Sequence, residues 1–328
     1  MNIIIDGWWG SGKSTLKGLL DGHPDLVVSP VQDGLIGGFS AALKFQEICE
    51  TKDLESFRRH LALKTNYYRI EKYARWGYVI FSPDAETVCK LPFDFDFDSF
   101  DRAFIEEIYS GDVWTPRAII DAFVRNFMRA WSQLDHCDTH GFVTMEANPA
   151  EIIPFVAECE SAFKYIYVDR CPEGIIATRY QRKPIDGFVD TKGWGTHTLS
   201  RLIGSGEVER IVSKRKQAFD MQKCYPERFY VLNMEEMVSN PSRVMPGLAT
   251  FIGIEYDEIL KKFTYLGRDF NGSDRFIGAV NDTPESIFEP KDLKKLRGEI
   301  LRVEANRRCW RIVPKLKRVV GRIVSELK

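Results

Sequence analysis

The run Ile3-Ile4-Ile5-Asp6-Gly7-Trp8-Trp9-Gly10-Ser11-Gly12-Lys13-Ser14-Thr15-Leu16 constrains this chain more than any other part of it. A short apolar run leads into Gly7 to Ser14, which satisfies G-x-x-x-x-G-K-S at every position and opens a segment of helical pattern. Glycines let successive backbone N–H groups turn toward one anion. A helix beginning near Lys13 adds the positive end of its dipole, and the lysine adds a mobile charge. The pattern therefore predicts a phosphate-binding loop, with Gly10, Ser11, Gly12, Lys13, Ser14 and Thr15 as its ligands. It does not choose among phosphate compounds. Trp8 and Trp9 are expected to pack the loop against the long insertion described below, with stacking on a base or shaping of an acceptor pocket as the alternative.

Further short apolar runs recur at Leu26 to Val28, Phe142 to Met145, Tyr165 to Val168 and Phe229 to Leu232, with helical patterns between them. This alternation predicts an α/β fold, a parallel sheet flanked by helices. Residues 39–140 break the rhythm, being long, aromatic, charged and mostly of helical period, as in Leu54 to Tyr73 and Pro116 to Leu134. No Pro/Gly/Ser-rich linker bounds them, so they are expected to form a helical insertion or lid after the first βα unit of a single domain spanning 1–328. Within it Phe93-Asp94-Phe95-Asp96-Phe97-Asp98 alternates as a half-buried strand with an acidic edge would.

With 46 lysines and arginines against 47 acids, the net charge of −1 supplies no global field to hold nucleic acid, and no nucleic-acid partner is expected. Seven scattered cysteines without a C-x-x-C pair argue against a disulfide framework and against structural zinc. His136-Cys137-Asp138-Thr139-His140 has the spacing of a metal pair but lies in a short polar break without further ligands, so no metal site is expected there. The first residues read as a buried strand rather than a leader, and no apolar run reaches the ~18 residues of a membrane span. A cytoplasmic protein is expected.

Three segments resemble the sulfotransferase family. Ser11 to Leu16, followed by Leu19-Leu20-Asp21-Gly22-His23-Pro24-Asp25, is similar to the family's 5′-phosphosulfate loop, Ser-Gly-Thr-Thr-Leu and then Leu-Leu-Asp-x-His-Pro-Asp. Here Gly10 stands where the family carries Lys or Arg, and Lys13 where it carries Thr. Tyr165-Ile166-Tyr167-Val168-Asp169-Arg170, with Thr178 eight residues beyond Arg170 on a helix starting near Pro172, resembles the family's 3′-phosphate motif. Tyr225 to Gly253 is similar to its late strand and helix. The resemblance covers the first forty residues and about 142–255.

What it implies is a PAPS-dependent sulfotransferase, one that moves a sulfuryl group from 3′-phosphoadenosine 5′-phosphosulfate (PAPS) to an acceptor hydroxyl or amine, leaving adenosine 3′,5′-bisphosphate (PAP) and needing no metal. Arg170 and Thr178 would then hold the 3′-phosphate, and Lys13, Ser14 and Thr15 would neutralise the departing oxygen. The general base would be Asp33 or, second, Glu146, which ends a core strand in Met145-Glu146-Ala147-Asn148-Pro149 where relatives have Glu-Lys-Thr-Pro. Both acids have solvated or ion-paired roles as equal alternatives. The competing enzyme class is an ATP-dependent P-loop kinase in which Asp169 holds magnesium through Ser14; the non-enzymatic one is a nucleotide sensor, for which Ala147 in place of lysine speaks. A small molecule or a glycan is the expected acceptor. Residues 307–328 put Ile312, Val313, Leu316, Val319, Val320, Ile323, Val324 and Leu327 at helical spacing opposite basic residues. That pattern predicts an amphipathic helix, packed on the core or peripherally bound to an anionic membrane with Trp310 near the headgroups.

Overall fold

The structure, a computed structural model, describes residues 1–30, 47–48, 50–64, 67–76, 78–81, 88–91, 93–111, 116–131, 141–146, 163–181, 198–269 and 283–305. Strands β1 (Asn2–Asp6), β2 (Leu26–Val28), β5 (Gly141–Met145), β6 (Phe163–Asp169) and β7 (Phe229–Asn233) form one sheet in the order β2-β5-β1-β6-β7. Every pairing in it is parallel. The sequence expectation of a parallel α/β sheet holds. The cause is visible in β1, whose Ile3, Ile4 and Ile5 are all buried. A strand covered on both faces reads as a continuous apolar run, not as an alternating one.

On one face of the sheet Ile3, Ile5, Val143, Met145, Ile166 and Val168 meet Leu16, Leu19 and Leu20 of α1 (Lys13–Leu20). On the other face Ile4, Phe142, Phe163, Tyr165 and Tyr167 join the apolar residues of the insertion. That insertion contains α2 (Leu54–Lys64), α3 (Tyr67–Trp76), an antiparallel hairpin of β3 (Tyr78–Phe81) and β4 (Val88–Leu91), α4 (Phe97–Ser110) and α5 (Pro116–Ala130). It comes after the first βα unit, as expected, and begins beyond β2. Because β2 and β5 are parallel neighbours, the insertion is the crossover between them.

Two local expectations are corrected. The helical period of Leu54 to Tyr73 is divided between α2 and α3. The Phe93 to Asp98 segment is not a strand: Phe93 and Phe95 are buried and Phe95 makes one bridge to Trp131, but Asp96 caps α4 by accepting from the Ser99 N–H at 3.0 Å. An aspartate whose carboxylate reaches the third N–H of a following helix favours the cap over the ladder. Alternation along the first four residues was thus a property of burial, not of strand pairing. The phenylalanines form an aromatic block in which Phe100 and Phe104 stack at 5.8 Å and Phe127 meets Phe142 of the sheet at 5.4 Å.

Beyond β6 come α6 (Pro172–Gln181), α7 (Leu199–Gly204) and α8 (Glu207–Cys224); beyond β7 come α9 (Met234–Ser239) and α10 (Pro241–Ile252). The small hairpin of β8 (Thr264–Tyr265) and β9 (Arg268–Asp269) is followed by α11 (Pro284–Ile287) and α12 (Pro290–Ala305). Among the described residues no helix is long and apolar enough to cross a membrane. The C-terminal amphipathic segment 307–328 lies outside the described residues.

Candidate anion site

The C-terminal ends of β1, β5 and β6 lie side by side, and the glycine loop rises from the middle one. The loop turns through Gly10 (φ 88°) and Gly12 (φ 96°), left-handed conformations that L side chains avoid. Space forbids a side chain as well. A Cβ on Gly12 would lie 2.6 Å from Met234 Cγ, and one on Gly10 would lie 3.2 Å from Thr178 Cβ and Cγ2. The Ser11 N–H donates to the Trp8 carbonyl at 3.0 Å and closes the turn, and Gly12 is the N-cap of α1. Ser11 is fully buried, and its hydroxyl makes no hydrogen bond among the described residues. A glycine cradle at a helix start with an orphaned hydroxyl inside it fits an anion.

Lys13 is buried. Its Nζ donates to the Glu146 carbonyl at 2.7 Å and stands 4.0 Å from Asp6 Oδ1. Asp6 is itself buried, and its Oδ2 accepts from the Tyr165 hydroxyl at 2.5 Å. Burial pushes its carboxyl above the usual carboxylate range, with Lys13 and the Tyr165 hydrogen bond pulling the other way. Tyr165 and Tyr167 are both raised above the ordinary phenol value, first by burial and then by the Asp6 charge. Ser14 Oγ faces Met145 Sδ at 3.9 Å, and Thr15 is buried under the loop. Glu146 is buried beside them at the end of β5.

Arg170 joins the second predicted motif to the first. Its Nη1 donates both to the Gly10 carbonyl at 2.9 Å and to Thr178 Oγ1 at 2.7 Å. The eight-residue spacing works because β6 ends at Asp169 and α6 starts at Pro172, so Thr178 lies about two turns up the helix, over the loop. Asp169 points elsewhere: it takes both Nε and Nη2 of Arg215 on α8, at 2.7 and 3.1 Å. Burial raises the Asp169 carboxyl and Arg215 opposes it. Ser14 faces β5, and Asp169, the magnesium ligand of the kinase alternative, is paired with Arg215 of α8.

Of the sequence-predicted residues, Gly10, Ser11, Gly12, Lys13, Ser14, Thr15, Glu146, Arg170 and Thr178 gather at this one edge. Asp33 and the His136 to His140 cluster lie outside the described residues. Among the described residues no group of three or more His, Cys, Asp or Glu side chains is arranged to hold a metal. Among the described residues the tryptophans pack the loop against α6 and α8, where the sequence expectation was the insertion. Trp8 Nε1 donates to Glu207 Oε1 at 2.8 Å, Arg179 pairs with the same carboxylate at 2.8 Å, and the Arg179 guanidinium lies over Trp9 at 5.0 Å. Sequence reasoning missed Asp6, Tyr165 and Arg215. An acid closing an all-isoleucine strand was the available signal for Asp6; nothing in the spacing marked the other two.

Fold and site define a parallel α/β protein whose strand, glycine loop and helix form a candidate anion cradle braced by an arginine. Two solved structures that it resembles are sulfotransferase domains. One, from the Synechococcus PCC 7002 olefin synthase, is 15% identical with a TM-score of 0.49, over 91% of this chain and 93% of that one. Another, from the curacin biosynthetic pathway, is 15% identical with a TM-score of 0.37, over 92% of this chain and 96% of that one. No family model matches the sequence, and no curated protein does. At these identities the chemistry has to come from the residues themselves.

Proposed function

We propose that this chain is a PAPS-dependent sulfotransferase acting on a hydroxyl or amine of a small molecule or glycan. The observation that carries the proposal is the Arg170 guanidinium, bonded at once to the Gly10 carbonyl and the Thr178 hydroxyl. It supports a nucleotide with two separate anionic groups, one on the loop and one beside Arg170, which is the charge pattern of PAPS. An arginine fork suits a terminal phosphate.

The donor supplies an activated sulfuryl group on a phosphate leaving group. In-line attack forms an acceptor O–S or N–S bond while the bond from sulfur to the bridging phosphate oxygen breaks. The chain's tasks are alignment, charge neutralisation and removal of the acceptor's proton. Lys13 is the side chain suited to neutralise the departing oxygen, together with the Ser14 hydroxyl and the loop N–H groups. Glu146, buried beside Lys13, is the base candidate among the described residues; Asp33 remains the candidate outside them. Peripheral membrane contact through 307–328 belongs to the same proposal only as a route to a membrane-proximal acceptor.

The test is thermal stability with PAP in the absence of magnesium, against ADP with magnesium. A ligand that binds only the native state raises stability as ln(1 + [L]/Kd). PAP should stabilise without the metal, and Arg170→Ala should remove most of that gain. Stabilisation by ADP with magnesium alone would replace this reading by the kinase.

A further inference from the structure

Asp6 is a buried ionisable group of the site that the proposed binding and transfer leave without a role. It ends β1 directly under the loop, with Oδ2 held by the Tyr165 hydroxyl at 2.5 Å and Oδ1, 4.0 Å from Lys13 Nζ, making no hydrogen bond among the described residues. The groups that face it are Lys13 from α1, Tyr165 and Tyr167 from β6, Lys214 from α8 and the Gly7 N–H, while Glu146 at the end of β5 acts on the same Tyr165. Its nearest cationic compensation is therefore the side chain that an anion on the loop would recruit.

We propose that Asp6 positions Lys13 before an anion arrives, and that it takes up a proton from solvent when the anion draws the lysine away, so that binding at the loop is coupled to protonation of Asp6. A buried carboxylate left beside a newly bound phosphate would face a like charge with its lysine gone. Protonation at Oδ1 removes that repulsion and leaves the Tyr165 bond to Oδ2 in place. Burial already biases the carboxyl toward its neutral form, which supports the direction. Asp6 is a positioning residue in this account; it need not touch the reacting atoms. The inference rests on anion binding by the loop, as the proposed function does, but not on which nucleotide binds.

Isothermal titration in buffers of different ionisation enthalpy counts the protons exchanged, with PAP, ADP and inorganic pyrophosphate as probes. The native chain should take up a fraction of a proton approaching about one per bound anion, with affinity falling by up to about tenfold per pH unit across the coupled range. Phosphates themselves titrate near pH ~6, and Asp6→Asn bound to the same probe removes that contribution by comparison. Asp6→Asn keeps an oxygen for Tyr165; it should abolish the extra uptake and bind on the order of tenfold more tightly at the alkaline end, where the native carboxylate is charged. Equal proton uptake by the native chain and Asp6→Asn overturns the inference. Should Asp6→Asn fail to fold, Tyr165→Phe retains the ring packed on Phe229 at 5.0 Å and removes one bond that favours the carboxylate, so its uptake should move to higher pH; an unmoved profile overturns the proposal. Uptake with pyrophosphate but no binding of PAP keeps the inference and discards the donor reading. No binding of any probe discards both.

Discussion

Thr178→Val isolates a single hydroxyl of the site. Valine keeps both branches at Cβ, so the packing of this side chain over Gly10 survives while the acceptor for Arg170 Nη1 at 2.7 Å is lost. The same nitrogen retains the Gly10 carbonyl at 2.9 Å, so one of two bonds disappears and not the whole brace. A hydrogen bond to a charged group contributes about 1.5–3 kcal/mol, and with one acceptor remaining the lower half of that range applies to the ligand-free protein. Affinity for PAP should fall by less than the factor of about 10–100 that a full charged bond represents, because in the proposed complex a phosphate oxygen gives Arg170 an acceptor in place of the lost Thr178 hydroxyl. Urea unfolding of both proteins with and without PAP measures the two quantities separately. Unchanged stability without ligand would show that the hydroxyl is not bound to Arg170 in solution. Lost stability with undiminished PAP affinity would remove Thr178 from the binding site and leave it as a brace of the loop.

Lys13→Ala should lower turnover far more than PAP affinity if the lysine acts on the departing oxygen rather than tethering the donor; equal losses of affinity with unchanged kcat would contradict that role. Arg215→Ala strands Asp169 in a buried position and should cost about 2–3 kcal/mol, below the value for a fully buried pair because the arginine is partly exposed, with Asp169→Asn in the same chain recovering much of the loss in urea unfolding. Asp21 accepts from Thr264 Oγ1 at 2.8 Å and the Gly267 N–H at 2.7 Å, both on Oδ2, and burial raises its carboxyl above the ordinary 3.8 despite these bonds. Between pH 3.8 and that raised value the native state holds more protons than the unfolded one, so the Asp21 contribution is fully present below pH 3.8 and is lost as pH rises through the native value. Asp21→Asn, which retains an accepting oxygen, should flatten this part of the stability profile; an unchanged slope between acid and neutral pH would refute it.

The fold was legible because its central strands are buried on both faces, and continuous apolar runs mark such strands without homologues. The loop was legible because only glycine tolerates its backbone, at Gly10 and Gly12, and because a lysine at a helix start has few other uses. Arg170 and Thr178 were legible only through resemblance, since a spacing of eight along a strand-to-helix turn has no meaning until the loop above it is known. What stayed hidden depends on tertiary placement. Arg215 sits in the middle of a charged helical run, Val212-Ser213-Lys214-Arg215-Lys216, where nothing distinguishes the residue that reaches back to Asp169. The Phe93 to Asp98 segment misled for a related reason: its period was that of burial, and the deciding interaction was a cap formed by one carboxylate.

Sheet order decides which of these groups share an edge. With β1 between β5 and β6, the three strand ends carry Asp6, Glu146 and Asp169-Arg170 to adjacent positions although Asp6 lies more than a hundred residues before the other two. Alternation then decides which side of the edge each side chain takes. Ile4 and Asp6 share a face, as do Tyr165 and Tyr167, and the aromatic insertion covers that face. Arg170, one step past Asp169, turns instead to the loop and α6. Lys13 lies between the two arrangements, reaching Asp6 and the Glu146 carbonyl from the start of α1. Changes in the insertion should therefore reach the acid side of the site before they reach the Arg170 brace. A substitution such as Phe127→Leu, which loosens the contact with Phe142 at 5.4 Å, should alter acceptor KM while leaving PAP affinity within about twofold, because the Arg170 brace is made by the loop and α6. Parallel titrations of the native chain and Phe127→Leu with PAP decide the matter, and a large loss of PAP affinity in a folded variant would show that the two sides are not independent.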